Sequence, residues 1–277
     1  QELHANEIVL LSYYIAAINI EAVFDEINGD EPYTPFEGIV LTDTFESTET
    51  EDTLDDSFFG TNDKRLKRQQ EKPITAIIGN PPYSIGQGSQ NDNNQNISYP
   101  KLENRISETY ANKSVSNSVK GLYDSYIKAF RWASDRLKNQ GVIGFVTNGN
   151  YLNTNSADGL RAGLYEEFNH LYIFNLRGDQ RTLGAQSRRE GGKIFGSGSR
   201  TPVAISILVK DGSDNHELHY YDIGDYLSQK EKLAIISKFS DVSQLDWQEI
   251  VPDDNNDWLN QRDPNYQQYS SLVDGIN

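Results

Sequence analysis

The tetrad Asn80-Pro81-Pro82-Tyr83 constrains the fold of this chain more than any other short segment. It follows Gly79 and the apolar run Ile74-Thr75-Ala76-Ile77-Ile78, which has the composition of a buried strand. Two consecutive prolines fix φ and remove two backbone donors, so the strand must end there in a rigid turn. In an open α/β sheet, ligands bind outside the carboxyl ends of the strands. The sequence therefore predicts a ligand site at residues 80–83.

The backbone carbonyls of Asn80 and Pro81, with the Asn80 side-chain oxygen, form a set of fixed hydrogen-bond acceptors. Such a set suits a planar amine, because accepting both N–H hydrogens favours the pyramidal nitrogen that can attack a methyl group. Tyr83 offers a flat face on which the target group can stack. The tetrad alone does not distinguish adenine, cytosine or a glutamine side chain as the methyl acceptor, and a plain turn between a strand and a loop is the structural alternative.

Strands alternate with helices along the chain, which predicts an α/β fold with a mostly parallel sheet and helices on both faces. A Gly/Arg-rich loop over 177–200 joins the last two strands as an antiparallel C-terminal hairpin. Residues 46–72 and 84–120 are predicted to be loops. Strands are predicted at 38–41, 74–78, 141–147, 171–176 and 203–209, the last extended by 219–221. Helices are predicted at 6–24, buried against the sheet, and at 122–137, 157–168 and 233–239.

The net charge of −16 comes from 41 acidic and 25 basic residues and argues against a general nucleic-acid-binding surface. The charges are unevenly distributed. Residues 21–60 contain thirteen Asp or Glu and no Lys or Arg, whereas residues 171–210 contain seven Lys or Arg and two acids. Any patch that faces DNA is therefore expected within 171–210.

The chain has no cysteine, which excludes disulfides and cysteine-based metal sites. The four histidines do not show a ligand pattern. His216-x-x-His219 beside Glu217 comes nearest, but an exposed strand edge is the expected interpretation and no metal is predicted. The apolar run Ile8–Ile20 is too short to span a bilayer, which requires about 20 residues. No signal peptide is visible, so a cytoplasmic location without a membrane partner is expected.

These motifs resemble the amino-methyltransferase segment of the single-chain type ISP restriction–modification enzymes. Those enzymes join nuclease, helicase-like ATPase, adenine-N6 DNA methyltransferase and target-recognition parts in one polypeptide. The resemblance covers most of residues 1–265 and is most specific around 122–148 and 188–210. The matching segments are 2–8, 38–45, 78–84, 122–137, 141–148, 174–181 and 191–210. It implies a Rossmann-like fold, S-adenosylmethionine as cofactor, and double-stranded DNA with a flipped adenine as substrate.

Roles for individual residues follow from the resemblance by position. It implies that Glu2 accepts hydrogen bonds from the cofactor ribose and that Asp43 accepts one from the cofactor adenine amine. Thr44 or Phe45 would pack on the cofactor ring. Asn80, Pro81, Pro82 and Tyr83 would be catalytic, and Phe195 would be the second aromatic side chain against the target base. Six basic residues would contact DNA phosphates: Arg177, Arg181, Arg188, Arg189, Lys193 and Arg200.

The chain departs from the family pattern at its start. The cofactor-cradling Phe-x-Gly-x-Gly turn and the first strand of the family precede the position matched by Glu2, so both are expected to be missing here. The segment by itself is therefore expected to be inactive. Residues 1–222 are predicted to be the catalytic domain, with a long loop at 84–120. Residues 223–277 are predicted to be a connector towards a target-recognition domain.

Two other functions fit some of the same features. A protein glutamine N5-methyltransferase would use a similar tetrad to hold an amide. A non-catalytic segment that clamps DNA between motor and recognition parts would need the basic residues but not the tetrad. Methyl transfer to DNA or to protein, measured on the full polypeptide, distinguishes these functions.

Overall fold

The computed structural model describes residues 2–29, 32–49, 56–82, 98–116, 118–196 and 200–262, and for residues 56–59 it describes the backbone only. The chain divides into two compact units. The first unit comprises Gln1–Ile74 and Asn96–Glu103, and the second comprises Thr75–Gln95 and Asn104–Asn277.

The first unit is built on two short parallel strands, β1 (Ala5–Glu7) and β2 (Ile39–Leu41). Helix α1 (Leu10–Asn28) connects them, and helix α2 (Asp56–Glu71) follows β2. The Asn62 side chain of α2 bonds the backbone of Leu41 through both its oxygen, at 2.9 Å, and its nitrogen, at 3.0 Å. This strand–helix–strand unit has the parallel crossover that the sequence predicted for the sheet.

The helix predicted at 6–24 forms, but it is not buried. None of the described side chains of α1 is buried, and Leu11 and Ile27 are 70% and 81% exposed. The reason is that two three-residue strands offer little apolar area for a helix of 19 residues to cover. Apolar composition all round the helix predicted burial, but burial also requires a partner surface within the unit.

Two segments predicted to be loops contain helices instead. Helix α2 lies within 46–72, and helix α3 (Pro100–Thr109) lies within 84–120 and includes residues of both units. Both helices are rich in polar and charged side chains, and this polar composition led to the prediction of a loop. Residues 84–97, also part of the predicted loop, lie outside the described residues.

The second unit contains a six-stranded sheet in the order β3-β4-β6-β5-β7-β8. Four strands run in the same direction, and β6 and β8 run against them. The predicted antiparallel hairpin is β5 with β6. The segment predicted to extend β6 is instead a separate strand, β7, parallel to β5. The strands are β3 (Ala76–Gly79), β4 (Gly141–Asn148), β5 (His170–Arg177), β6 (Val203–Lys210), β7 (Glu217–Asp222) and β8 (Gln248–Ile250).

Helices cover both faces of this sheet, as predicted. Helix α4 (Ser125–Leu137) packs Phe130 against Phe145 of β4, with ring centroids 5.4 Å apart. Helix α7 (Gln229–Ile236) packs on the opposite face, against the apolar cluster that contains Phe174 and Leu176. Two further helices are α5 (Asp158–Glu167) and α6 (Gly184–Glu190).

The described part of residues 223–277 is packed on the second unit rather than extended. Strand β8 pairs with β7, and Trp258 is buried with its ring 6.1 Å from that of Tyr151. The domain boundary at residue 222 stays a prediction. No helix within the described residues is long and apolar enough to cross a lipid bilayer.

Candidate active site

The predicted amine-binding turn begins at the carboxyl end of β3. Asn80 and Pro82 are exposed and Pro81 is half-buried. The acceptor oxygens predicted on Asn80 and Pro81 therefore belong to residues that solvent reaches. Tyr83 lies outside the described residues. Its stacking role stays a prediction.

Strand β3 is shorter and more exposed than predicted. It runs over Ala76–Gly79 rather than 74–78, and Ile78 is 89% exposed. Within the described part of the second unit, β3 is the edge strand and pairs only with β4. Gly141, which opens β4, has φ +146°, and a Cβ there would lie 2.5 Å from the Thr75 oxygen. Glycine at 141 thus allows the close approach that brings β3 beside β4.

A cavity of about 150 Å³ lies at the carboxyl end of β4, lined by residues before and within α4 and by the turns that follow β4. Its polar lining includes Asp124, Asn148 and Asn150. The Asn148 side-chain oxygen accepts a bond of 3.0 Å from the Asn150 backbone nitrogen, which holds this turn. Because β3 and β4 are parallel neighbours, this cavity and Asn80 lie at the same edge of the sheet.

The cavity also has an apolar wall. Tyr126 of α4 lines it and is itself 5% exposed. Burial, followed by the nearby charge of Asp124, raises the pKa of Tyr126, so the phenol stays neutral. The wall combines an aromatic ring with amide and carboxylate groups. This combination suits a flat polar ligand such as a nucleobase.

Among the predicted phosphate contacts, Arg181 bonds directly to a residue that lines this cavity. Its Nη2 donates to the Asn150 side-chain oxygen at 2.8 Å, and its Nε donates to Asp179 at 3.1 Å. The side chain is 48% exposed. It therefore presents a positive charge at the rim of the cavity.

Arg177 is held differently from the other five basic candidates. Its Nε donates to Asp222 at 2.7 Å, and its Nη1 donates to Asp225. These carboxylates outweigh burial and raise the pKa of Arg177. A phosphate would compete with two carboxylates, so Arg177 is the weakest of the six predicted DNA contacts.

The segment between β5 and β6 carries the remaining basic candidates. Arg188 and Arg189 lie exposed in the last turn of α6, Arg200 is exposed and Lys193 is half-buried. Buried Lys232 donates to the Leu176 and Glu190 carbonyls, both at 2.8 Å. The base of this arginine-bearing segment is thereby tied to the sheet.

Phe195 is half-buried and packs against the apolar cluster around Phe174. The resemblance implied that this ring lies against the target base. The packing gives it a structural role at least. Its predicted contact with the target base stays a prediction.

The predicted cofactor residue Glu2 is not at the end of a strand. It precedes β1, whereas Glu7 is the last residue of β1 and pairs with Leu41 of β2. Because the helix was predicted to begin at Asn6, the strand before it was expected to end near Glu2. Glu7, which the sequence analysis missed, lies at the carboxyl end, and its Oε1 accepts the backbone N–H groups of residues 8 and 9, both at 2.8 Å. The acidic residue followed by a short gap and a long helix was the available signal.

Asp43 lies just past the carboxyl end of β2, at the same edge of the two-stranded sheet as Glu7. Its Oδ1 accepts from the Phe45 backbone at 2.9 Å, and its Oδ2 accepts from the Tyr99 hydroxyl at 2.7 Å. The Phe45 and Tyr99 rings meet edge to face at 5.4 Å. Thr44 lies between Asp43 and Phe45 in the sequence. Burial raises the pKa of Tyr99. Tyr99 is a second residue that the sequence analysis missed, because it is 56 positions from Asp43.

The Eco57I restriction-modification methylase family matches residues 3–181, which is more than half of the 277 residues. The chain belongs to this family. The match includes β1 to β5 and the tetrad, but ends before α6. The comparison with curated proteins gave no match.

Solved structures resemble this methylase chain over nearly its whole length. LlaGI, a Type ISP restriction-modification enzyme solved as a nuclease-deletion mutant with a DNA substrate mimic, is 70% identical, with TM-score 0.93, over 97% of this chain and 22% of its own. LlaBIII, an ATP-dependent Type ISP enzyme bound to DNA, is 50% identical, with TM-score 0.92. The match covers 98% of this chain and 18% of LlaBIII. DrdV, solved with DNA, is 37% identical, with TM-score 0.86. The match covers 95% of this chain and 25% of DrdV.

These findings confirm the predicted resemblance to type ISP enzymes and the predicted methyltransferase fold class. The methylase chain spans between 18% and 25% of the length of these three relatives. The roles assigned to single residues stay predictions.

Proposed function

We propose that this chain is the DNA methyltransferase segment of a longer restriction–modification polypeptide and transfers a methyl group from S-adenosylmethionine to the N6 amine of adenine. The observation that carries the proposal is the exposed Asn80-Pro81-Pro82 turn, at the carboxyl end of a strand, in a member of the Eco57I methylase family. The DNA in the LlaGI, LlaBIII and DrdV structures supports DNA as the substrate. LlaGI has a nuclease part and LlaBIII depends on ATP, which supports motor and nuclease parts elsewhere in the polypeptide.

In this proposal the target adenine leaves the base stack before it reacts. The Asn80 side-chain oxygen and the Pro81 carbonyl accept its two amine hydrogens, and Tyr83 stacks on the ring. Held in this way, the amine nitrogen would be the acceptor of the methyl group, and its proton would pass to solvent afterwards. S-adenosylmethionine supplies an activated methyl group when bound. Because no strong base is needed, positioning by this turn dominates the rate.

The residues at the carboxyl ends of β1 and β2 fit such a cofactor chemically. Glu7 and Asp43 provide carboxylate oxygens for hydroxyl and amine hydrogens, and Phe45 provides a ring for stacking. Asp43 is already oriented by the Phe45 backbone and the Tyr99 hydroxyl. We therefore assign Glu7 the ribose-binding role that the sequence analysis gave to Glu2.

The basic residues on the segment between β5 and β6 are proposed to contact DNA phosphates. Arg181 lies at the rim of the cavity, and Arg188 and Arg189 are exposed on α6. Phosphate contacts position the protein on the duplex without reading sequence. Base-specific recognition is assigned to another part of the polypeptide.

The proposal is tested by Asn80→Ala in the full polypeptide, with transfer of a labelled methyl group to DNA as the assay. We expect the rate to fall at least about 100-fold, because the amine loses a fixed acceptor. Asn139→Ala is the matched control: Asn139 is exposed just before β4, at the opposite edge of the sheet. Unchanged methylation by Asn80→Ala contradicts the catalytic assignment.

The chemical identity of the product separates the competing functions. We expect N6-methyladenine after digestion of the DNA to nucleosides. Label in protein glutamine instead of DNA would support the glutamine methyltransferase. DNA binding without any methyl transfer by the full polypeptide would support the non-catalytic scaffold.

A further inference from the structure

Two histidines and a glutamate meet at the amino edge of the six-stranded sheet. His170 opens β5 and Glu217 opens β7, and the parallel register places them side by side. His219 lies two residues beyond Glu217, so its side chain projects from the same face of β7. Strand pairing, rather than sequence spacing, brings the three side chains together.

Two of the three distances within this cluster are close to those between ligands of one metal ion. Glu217 Oε2 lies 3.1 Å from His170 Nδ1 and 3.2 Å from His219 Nε2. The three ligand atoms all lie within 4.8 Å of one another. Zinc bonds to nitrogen and oxygen are about 2.0–2.2 Å, which makes the ligand–ligand separation in a tetrahedral site about 3.3 Å.

The surroundings orient both imidazoles as metal ligands require. His170 Nε2 lies 3.1 Å from Asp211 Oδ2. In the tautomer whose Nε2–H donates to this carboxylate, Nδ1 carries no proton and can bind a metal ion. A carboxylate behind a ligating histidine is the usual supporting arrangement in zinc sites. The His219 ring stacks on Tyr172 at 4.7 Å with an interplanar angle of 14°.

Glu217 is ready to act as the anionic ligand. Its Oε2 faces a ring nitrogen of each histidine, so one carboxylate oxygen lies between the two imidazoles. On the antiparallel side, Glu249 of β8 is the register partner of His219 and adds a second carboxylate to this face. The site is open to solvent, with side-chain exposures of 25% for His170, 41% for Glu217 and 20% for His219.

We propose that His170, Glu217 and His219 bind one divalent first-row transition metal ion, with zinc as the expected ion and water in the fourth position. The ion joins β5 to β7 at the edge of the sheet opposite to Asn80, so its role is structural. It replaces the protons that otherwise lie between the imidazoles and Glu217. The site does not depend on the proposed methyl transfer.

Sequence spacing pointed to a different pair of histidines. His216 lies three residues before His219, but its ring faces the Phe168 carbonyl at 2.9 Å and lies 5.9 Å from the Tyr165 ring. The sequence showed no ligand pattern among the four histidines, but strand pairing brings His170 and His219 to one carboxylate. The 49 positions between them hid the pair from the sequence.

The test compares the zinc content of the full polypeptide with that of the His170→Ala/His219→Ala variant after equilibration with buffered Zn²⁺ and desalting. We expect the double variant to hold one zinc fewer per polypeptide. His216→Ala is the matched control and should keep the wild-type content. Equal zinc in the wild type and the double variant overturns the proposal.

Two single variants protect the test against misfolding. Glu217→Gln keeps the side-chain shape, and we expect it to lose the same ion while its circular dichroism stays that of the wild type. Asp211→Ala should weaken zinc binding by about 10- to 100-fold, because it removes the group that orients His170. Full retention of the ion by Glu217→Gln would refute the assignment.

Discussion

The buried guanidinium of Arg161 offers the sharpest test of how residues 253–262 are held on the second unit. Its side chain is 1% exposed, and that of its partner Asp257 is 5% exposed. Nη2 donates to Asp257 at 2.7 Å, and Nη1 donates to the Tyr151 and Thr154 carbonyls at 2.9 and 2.8 Å. Nε donates to the Asn256 carbonyl at 2.7 Å. One side chain thus joins α5 to the turn after β4 and to the C-terminal part of the described chain.

Arg161→Met keeps much of the aliphatic volume but removes these four hydrogen bonds and leaves the Asp257 carboxylate buried. Breaking a buried ion pair by removing one partner costs about 3–5 kcal/mol. Arg262 still donates to Asp257, with Nη2 at 3.2 Å. We therefore expect the lower end of that range, about 3 kcal/mol.

Hydrogen–deuterium exchange of the full polypeptide, resolved by mass spectrometry, measures this loss locally. A cost of about 3 kcal/mol raises the opening constant roughly 100-fold. Peptides covering 150–165 and 253–262 should show that acceleration. Arg105→Met is the matched control, because its side chain is 46% exposed and its pairs with Asp135 and Glu108 are worth about 0–1 kcal/mol.

Arg161 and Asp257 are expected to be energetically coupled. If the buried Asp257 carboxylate, left with Arg262 but without Arg161, causes most of the loss, Asp257→Asn added to Arg161→Met should restore part of the protection. Exchange in Arg161→Met that stays within about threefold of the Arg105→Met control would correspond to well under 1 kcal/mol and would refute the argument.

Three further predictions concern the cofactor edge, the arginine-bearing segment and a buried lysine. Tyr99→Phe should weaken S-adenosylmethionine binding about tenfold in calorimetry, because a charge-assisted bond no longer orients Asp43; tighter binding would mean that Tyr99 competes with the cofactor. Arg188→Ala with Arg189→Ala should reduce the slope of log K against log salt for DNA binding by about 2, and an unchanged slope would remove both contacts. Burial lowers the pKa of Lys232 from 10.5 to about 8. Between these two pH values the unfolded chain binds more protons than the folded chain, so the free energy of unfolding should rise with pH across that window. Lys232→Met should lack that rise in urea unfolding, and an equal rise in the variant would contradict the assignment.

Strongly apolar elements of the second unit were predictable from the sequence. The predicted strands at 141–147, 171–176 and 203–209 agree with β4, β5 and β6 to within one residue at each end. The predicted helix at 157–168 agrees equally well with α5. Each of these elements is largely buried, so its hydrophobic pattern directly reflects the surface it covers.

Elements whose position depends on a distant partner were not predictable in this way. Helix α2 has a polar sequence that predicts a loop, and α1 has an apolar sequence but no described side chain that is buried. The strand β7 was assigned as an extension of β6, although it pairs with β5. The local composition of a segment does not determine which strand it pairs with or which face it packs against.

The sequence by itself determined a class of fold and a family, and its two prolines restricted the backbone after Asn80. Only the tertiary structure decided which side chains share a site. It placed Glu7 rather than Glu2 at the carboxyl end of β1, placed the Tyr99 hydroxyl on Asp43, and brought His170 to Glu217. The physical reason is that residue type and backbone restriction are local properties, whereas strand register and helix packing join residues that lie tens of positions apart.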